Sequence, residues 1–312
     1  LKSGQEISYT KLLLATGCSP STLPFKTTAG LKGIHTLHSL DDINLMKPQF
    51  KSGKRLLVLG GGFVGLEIAA VAQRAGLNVT IIEKLDRILQ RVSGELTSKY
   101  FEKLHFENGV SLILGHEIDK IIGSNGQLVG VRLSDGRELK SDLLIVGIGA
   151  TPNISLAESS GLVVEKGIKV NEQCYTSDPN ILAAGDCTSF PYFGEWLRLE
   201  SVGNAIDQAE VAANSILGSG TKYDVKPWFW SDQYDTKLQI AGLNFGYTKI
   251  IERISQNGNS YWYFKGDQFL AVDAVNDSRS YMVGKRLLDL GISPKLTQIR
   301  DPKYDLKTLL KV

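Results

Sequence analysis

Leu56-Leu57-Val58-Leu59-Gly60-Gly61-Gly62-Phe63-Val64-Gly65-Leu66-Glu67 decides how this chain folds. A short apolar run reads as a buried strand, and the glycines that stop it match G-x-G-x-x-G. The alanine-spaced stretch Gly65 to Ala75 then reads as a helix, and Asn78 to Glu83, with β-branched residues alternating, as a second strand. In that βαβ setting each glycine has a task. Gly60 permits the tight turn, Gly62 lets the backbone approach a pyrophosphate, and Gly65 lets helix and strand pack closely. Phe63 and Val64 stand at the helix start, where unpaired N–H groups and the positive dipole end favour phosphate. Glu83 follows Gly65 by 18 positions, where its carboxylate can accept hydrogen bonds from an adenosine ribose. A carboxylate there repels a 2′-phosphate, which favours NAD over NADP, while Lys84 and Arg87 act in the opposite sense. A glycine turn of purely structural use is the alternative. Glu67 has two readings as well, a first-turn acid complementing the helix dipole or a cofactor-site group.

Outward from this unit, three more strand-like runs follow at Val110 to Leu114, Leu128 to Leu133 and Leu143 to Val146, with Asp135-Gly136 as a hairpin turn between the last two. A parallel sheet with an appended antiparallel hairpin is the economical arrangement. Before it, Lys2 to Tyr9 reads as a hairpin, Lys11 to Gly17 as a buried strand, and Leu40 to Met46 as a short helix capped by Ser39 or Asp41. Pro20 and Pro24 break regular structure between them. After Pro152 the pattern gives a helix at Ser155 to Ser160, a strand at Ile168 to Val170 and an amphipathic helix from Glu200 to Leu217. From Pro227 aromatics and alternation take over. Strands at Gln239 to Ala241, Lys249 to Glu252, Ser260 to Phe264 and Phe269 to Val275, then a helix at Ser280 to Gly291, read as a separate antiparallel α+β domain.

The 312 residues carry 35 Lys and Arg against 33 Asp and Glu, a formal net charge of +2, which argues against nucleic acid as a partner. No apolar run approaches the roughly 20 residues of a membrane span, so no membrane partner is expected. Cys18, Cys174 and Cys187 are far apart and include no C-x-x-C, which fits a reducing, cytoplasmic compartment and disfavours dithiol chemistry. None of the four histidines, His35, His38, His105 and His116, stands near a cysteine or carboxylate at ligand spacing, and no metal site is expected.

Leu14-Ala15-Thr16-Gly17 before the fingerprint, Gly147-Ile148-Gly149-Ala150-Thr151-Pro152-Asn153 after it, and Thr176 to Asp186 together resemble the two-dinucleotide flavoprotein reductases related to glutathione reductase. Arg198 to Ala209 and Pro227 to Tyr234 resemble, within them, the FAD-dependent NADH:ferredoxin reductases that serve bacterial P450 systems. The resemblance implies Rossmann-like FAD and NAD domains with a C-terminal α+β domain. It maps residues 1–35 and 151–225 to FAD, 36–150 to NAD and 226–312 to a C-terminal interface domain. By the same resemblance the Gly60 turn and Gly149 serve NAD, Thr16 and Gly17 lie beside FAD, Asp186 holds its ribityl and phosphate region, and the Val202 N–H faces the flavin pyrimidine. Ser19 and Ser21 stand where relatives often carry arginine. Glu67 matches a glutamate near the nicotinamide. An aromatic pair at strand spacing is ordinary core packing, but Trp230 matches a tryptophan over the flavin edge near the ferredoxin dock, with Lys237 as a steering charge.

No earlier fingerprint precedes Leu14, so the chain reads as starting inside the FAD domain and is expected to hold NADH better than FAD. The implied activity is electron transfer from NADH through FAD to a [2Fe–2S] ferredoxin, with the oligomeric state left open. Two other classes share these motifs: reductases of monodehydroascorbate or quinones, and a non-catalytic NAD-binding relative of apoptosis-inducing factor. Near-neutral charge argues against the DNA-associated form of the second.

Overall fold

The computed structural model describes residues 3–23, 30–256 and 258–311. Its chain divides into two compact units, Leu1–Ser19 with Ala150–Phe229 and Pro20–Gly149 with Trp230–Val312.

The larger unit is built on a five-stranded parallel sheet in the order Ile34–Thr36, Leu143–Val146, Arg55–Leu59, Asn78–Glu83, Ser111–Leu114. Leu56 to Leu59 and Leu143 to Val146 are buried throughout, as strands covered on both faces must be, so their apolar runs show no alternation. The crossover from Leu59 to Asn78 is the helix Phe63–Arg74, whose Ala69, Ala70 and Ala72 are buried and let it lie close to the sheet. A second helix, Glu95–Glu107, has no counterpart in the sequence-based reading. Its inward face carries Thr97, Ser98, Phe101 and His105, all with no exposed surface, so polar residues interrupt the apolar period by which helices are recognised.

The Asp135-Gly136 turn joins Gln127–Leu133 to Glu138–Lys140, not to Leu143–Val146. With Ile118–Ser124 these form a three-stranded antiparallel sheet, and Leu143–Val146 departs into the parallel one. The physical reason lies in burial: Glu138–Lys140 is short and charged, whereas Leu143–Val146 needs cover on both faces. Ser3 to Tyr9 forms a turn followed by exposed irregular chain and not a hairpin, since no strand pairs with it among the described residues. Lys2 and Pro24 lie outside the described residues. Pro20 ends a short strand, Cys18–Pro20, that neighbours Ala150–Pro152. The helix Leu40–Met46 is closed by a capping box in which Ser39 and Asp42 satisfy each other's backbone N–H.

The rest of this unit is a five-stranded sheet in the order Trp228–Gln233, Thr236–Gly242, Gln268–Val275, Gly258–Lys265, Lys249–Ser255. The helix Ser278–Asp289, capped by Asp277, packs on it around Trp262, Phe264, Phe269 and Leu287. A polar cluster ties this sheet to the helix Glu95–Glu107. Asp273 accepts from Thr97 Oγ1 at 2.6 Å and from Tyr263 at 2.5 Å, and Tyr263 also accepts the Gly94 N–H at 2.9 Å. Gly94 has to be glycine here, since a Cβ would lie 2.5 Å from the Tyr263 ring.

In the smaller unit Leu12–Leu14 pairs in parallel with Ile181–Ala183, and Thr188–Tyr192 lies between Ile168–Lys169 and Glu195–Leu197. The helix Val202–Ile216 lays Val211 and Ala212 on Cys174, Leu182 and Ala184.

Burial pushes the Asp273 carboxyl up to about 6, against the opposing hydrogen bonds from Thr97 and Tyr263. A folded-state value above the ordinary one means that the stability this group contributes is full at about pH 4 and is lost as the pH rises through about 6. Urea unfolding between pH 4 and 8 is therefore expected to show wild type losing up to about 3 kcal/mol relative to Asp273→Asn over that interval. A pH-independent difference would mean that ionised Asp273 is not penalised.

Candidate functional site

The three fingerprint glycines are required for different reasons. A Cβ on Gly65 would lie 2.0 Å from the Gly60 carbonyl oxygen, and one on Gly60, where φ is +108°, would lie 2.3 Å from the Gly147 oxygen. The packing of the chain itself forbids side chains at both. At Gly62 a Cβ would meet nothing within 4 Å, and φ is an ordinary −83°. The cradle before Gly62 is therefore open, with room for a phosphate to approach the backbone. Gly62 supplies no side-chain cap, so the first-turn N–H groups at Phe63 and Val64 receive no capping side chain from it. Gly149 also has a φ of +108°, with open space at its Cα, and its carbonyl accepts the Ser21 N–H at 2.9 Å.

Glu83 ends the neighbouring strand and has a structural task that its position in the sequence does not disclose. Its Oε2 accepts the Gly61 N–H at 2.6 Å and its Oε1 the Leu85 N–H at 2.8 Å, so the carboxylate braces the glycine turn from below. Each oxygen keeps a second lone pair for a ribose hydroxyl. The two nearby cations are engaged elsewhere. Lys84 pairs with Glu117 at 2.9 Å, and Arg87 donates to the Ser93 and Gln90 carbonyls and to Ser98 Oγ.

Glu67 lies on the helix Phe63–Arg74, half-buried, and accepts a hydrogen bond from Ser231 Oγ at 2.6 Å. Burial holds its carboxyl above the ordinary range, with the Asp232 charge adding and the Ser231 hydrogen bond opposing. Ser231 escapes attention in the sequence because it stands between tryptophan and aspartate. The signal is the strand period, which puts Ser231 and Gln233 on the buried side and Trp230 and Asp232 on the exposed side. Trp230 is 43% exposed. Lys237 is paired with Asp232 at 3.5 Å, so its charge is locally offset.

The smaller unit holds the other candidates. Thr16 Oγ1 donates to the Asn153 carbonyl at 2.7 Å, Asn153 Nδ2 donates to the Thr16 carbonyl at 2.8 Å, and the Asn153 N–H donates to the Gly17 carbonyl at 2.9 Å. Asn153 thus clasps the Thr16-Gly17 turn, where Gly17 has a φ of +64°. Asp186 accepts from Cys18 Sγ at 3.4 Å. Burial first, then the Asp186 contact, push that thiol up to about 11, and burial pushes Cys174 up to about 12, so both stay protonated at neutral pH. The turn before Asp186 is held by Gln208, fully buried, whose Oε1 accepts from the Gly185 N–H and from Thr188 Oγ1, both at 2.8 Å.

Val202 opens a 15-residue helix capped by Ser201, whose Oγ takes the Asn204 N–H at 3.2 Å. That cap takes the Asn204 N–H and leaves the first-turn N–H groups of Val202 and Gly203 at the positive dipole end of the helix, which suits an electron-rich ring edge. Trp228 packs against Gly203, where a Cβ would lie 2.3 Å from its indole nitrogen. Of the tryptophan pair it is the packing member. These donors, the Asp186 carboxylate and the clasped glycine turn fit the ring and ribityl end of a flavin dinucleotide. Among the described residues no group of three His, Cys, Asp or Glu could hold a metal ion, and no helix is long and apolar enough to cross a membrane.

A family model described as pyridine nucleotide-disulphide oxidoreductase matches residues 1–209, and one described as reductase C-terminal matches 228–310. Putidaredoxin reductase CamA of Pseudomonas putida is 38% identical over 99% of this chain and 75% of its own length. Rhodocoxin reductase of Rhodococcus erythropolis is 39% identical over 96% of this chain and 71% of its own. Among solved structures, the covalent putidaredoxin reductase–putidaredoxin complex superposes with a TM-score of 0.95 at 37% identity, over 99% of this chain and 76% of that one.

The different reasons for the glycines can be separated experimentally. Gly62→Ala is expected to leave the thermal melting temperature within about 2 °C of wild type while weakening NAD⁺ binding at least tenfold, because its methyl enters only the cradle. Gly65→Ala is expected to lower the melting temperature itself, by calorimetry or circular dichroism, since the Gly60 carbonyl has to move. Equal binding by Gly62→Ala and wild type would remove the cradle as the phosphate site.

Proposed function

Because this chain belongs to the pyridine nucleotide-disulphide oxidoreductase family, in its ferredoxin reductase branch, we propose that NADH is its preferred reductant and that Glu67 and Trp230 serve the two ends of its electron path. The enzyme transfers electrons from a nicotinamide dinucleotide, by way of FAD, to the ferredoxin of an oxygenase system. FAD, when bound, would supply the chemistry that links a two-electron hydride donor to a one-electron acceptor.

The protein residues supply binding and orientation. Gly60, Gly62, Phe63, Val64 and Gly65 cradle the NADH pyrophosphate, Gly149 leaves room beside the same turn, and Glu83 accepts from the adenosine ribose. The observation that carries the NADH preference is the engagement of Arg87 by two carbonyls and Ser98, with Lys84 held by Glu117. With both engaged, neither Arg87 nor Lys84 is free to welcome a 2′-phosphate beside Glu83. On the flavin side Thr16, Gly17 and Asp186 hold the ribityl and phosphate region, and the Val202 N–H meets the pyrimidine edge. Glu67 orients the nicotinamide, and exposed Trp230 meets the ferredoxin. The raised thiols of Cys18 and Cys174 are poor nucleophiles, which supports electron transfer over disulfide chemistry. A reducing, cytoplasmic setting belongs to the same reading, since all three cysteines are free. So do the segments 1–35 and 151–225 for FAD, 36–150 for NAD and 226–312 for the interface.

Two measurements on the flavin-loaded enzyme test this reading. Glu83→Ala is expected to lower the ratio of kcat/KM for NADH to that for NADPH by about tenfold, as both the ribose acceptor and its repulsion of phosphate are lost. An unchanged ratio would sink the NADH assignment, whatever the loss of the turn's brace does to stability. Trp230→Ala is expected to slow ferredoxin reduction by about tenfold and leave NADH-to-ferricyanide turnover within about twofold, since a small acceptor needs no docking surface. Equal losses with both acceptors would make Trp230 a packing residue.

A further inference from the structure

Behind Glu67 a line of buried polar groups runs away from the dinucleotide turn. Ser231 Oγ donates to Glu67 Oε1 at 2.6 Å, and Gln233 Nε2 donates to Ser231 Oγ at 3.0 Å. Gln233 Oε1 meets His105 Nε2 at 2.9 Å, and His105 Nδ1 meets the Tyr234 hydroxyl at 3.4 Å. Ser231, Gln233 and His105 have no exposed surface. In a dry site each group has to be satisfied, and the inventory of donors leaves one consistent assignment. Gln233 Oε1 can only accept, so His105 carries its proton on Nε2, and Nδ1 then accepts from Tyr234. Every hydrogen bond in the line points the same way, from Tyr234 through His105, Gln233 and Ser231 to the Glu67 carboxylate.

We propose that His105, Gln233 and Ser231 are positioning residues that hold the Glu67 carboxylate, as the terminal acceptor of a one-directional hydrogen-bond chain, for the nicotinamide end of the dinucleotide. This rests on the reading of Glu67 given above and adds what keeps it oriented. A carboxylate on a helix otherwise has free rotation about its last bonds, and a rigid neighbour converts it into a directed acceptor. Burial holds His105 below its ordinary pKa, so the imidazole stays neutral and its tautomer does not change through physiological pH. The charged groups around the line are Asp232, whose charge raises the Glu67 carboxyl while its backbone N–H favours the ionised form, Arg74, which lies 5.7 Å over the Tyr234 ring, and Asp235, paired with Arg74 at 2.7 Å. Tyr234 itself is pushed up to about 12 by burial and does not ionise in the working range. Glu67, whose carboxyl burial holds above the ordinary range, is thus the member of the line whose protonation state dinucleotide binding can read.

Calorimetric titration of the flavin-loaded enzyme with NAD⁺ between pH 5 and 8 reads the arrangement without turnover. In wild type, NAD⁺ affinity is expected to rise with pH through the raised pKa of Glu67, because the carboxylate is the binding form. Ser231→Ala removes a donor that favours the ionised form, so the inflection is expected to move up by about one pH unit. His105→Phe is expected to move it in the same direction, and His105→Gln, which keeps an N–H donor, to restore it at least in part. Gln233→Met gives the same upward shift should Ser231→Ala fail to fold. Glu67→Gln is expected to abolish the pH dependence and to make Ser231→Ala silent when combined with it. If Glu67→Gln abolishes the pH dependence but neither Ser231→Ala nor Gln233→Met moves the inflection, the positioning chain is overturned and the Glu67 reading stands. If Glu67→Gln leaves NAD⁺ affinity unchanged at every pH, the Glu67 reading fails and takes the chain with it.

Discussion

The Gly60 carbonyl oxygen occupies the place where a side chain at position 65 would begin, 2.0 Å from the missing Cβ. That close approach brings the helix Phe63–Arg74 down onto the strand Arg55–Leu59, with Ala69, Ala70 and Ala72 continuing the contact. Once the helix lies so close, its first N–H groups emerge at the carboxyl ends of the parallel strands, where open α/β sheets bind ligands. Glu83 completes the turn by holding the Gly61 N–H from the adjacent strand. The carboxylate that would repel a 2′-phosphate is therefore also the one that braces the turn. The proposed preference for NADH thus falls to the residue that braces the turn.

Within the larger unit the C-terminal sheet meets the dinucleotide-binding layers through polar contacts: Ser231 with Glu67, Gln233 with His105, and Asp273 and Tyr263 with Thr97 and Gly94. Buried hydrogen bonds add little net stability each, but an unmatched partner costs about 1–3 kcal/mol, so they select one packing geometry from many. An apolar contact would tolerate sliding by an ångström. A hydrogen-bonded contact does not tolerate it. The same logic applies to Asn153 in the smaller unit, which uses backbone and side chain together to clasp Thr16-Gly17.

The strand–turn–helix–strand unit from Leu56 to Glu83 was legible because its signal is local. Glycines at fixed offsets, alanines at helical spacing and β-branched residues in alternation each report on their own neighbourhood. The helix Glu95–Glu107 was not, since its buried face is Thr97, Ser98 and His105, and polar residues inside a protein look like surface in a sequence. The strand Leu143–Val146 was seen but given the wrong partner, because a hairpin signal at Asp135-Gly136 names its nearest strand and cannot say which sheet the next one joins.

The sequence by itself thus determined a dinucleotide-binding α/β chain with an antiparallel C-terminal domain, and, through motifs that resemble a reductase family, its cofactors and its ferredoxin. Tertiary structure alone decided that Arg87 and Lys84 are spent on the protein, that Glu83 braces the turn, and that Ser231, Gln233 and His105 stand behind Glu67. The physical reason is sequence distance. Ser231 lies 164 positions from Glu67, and Gln233 lies 128 from His105. A hydrogen bond depends on position and direction within a few tenths of an ångström, which a residue's type and its immediate neighbours do not encode.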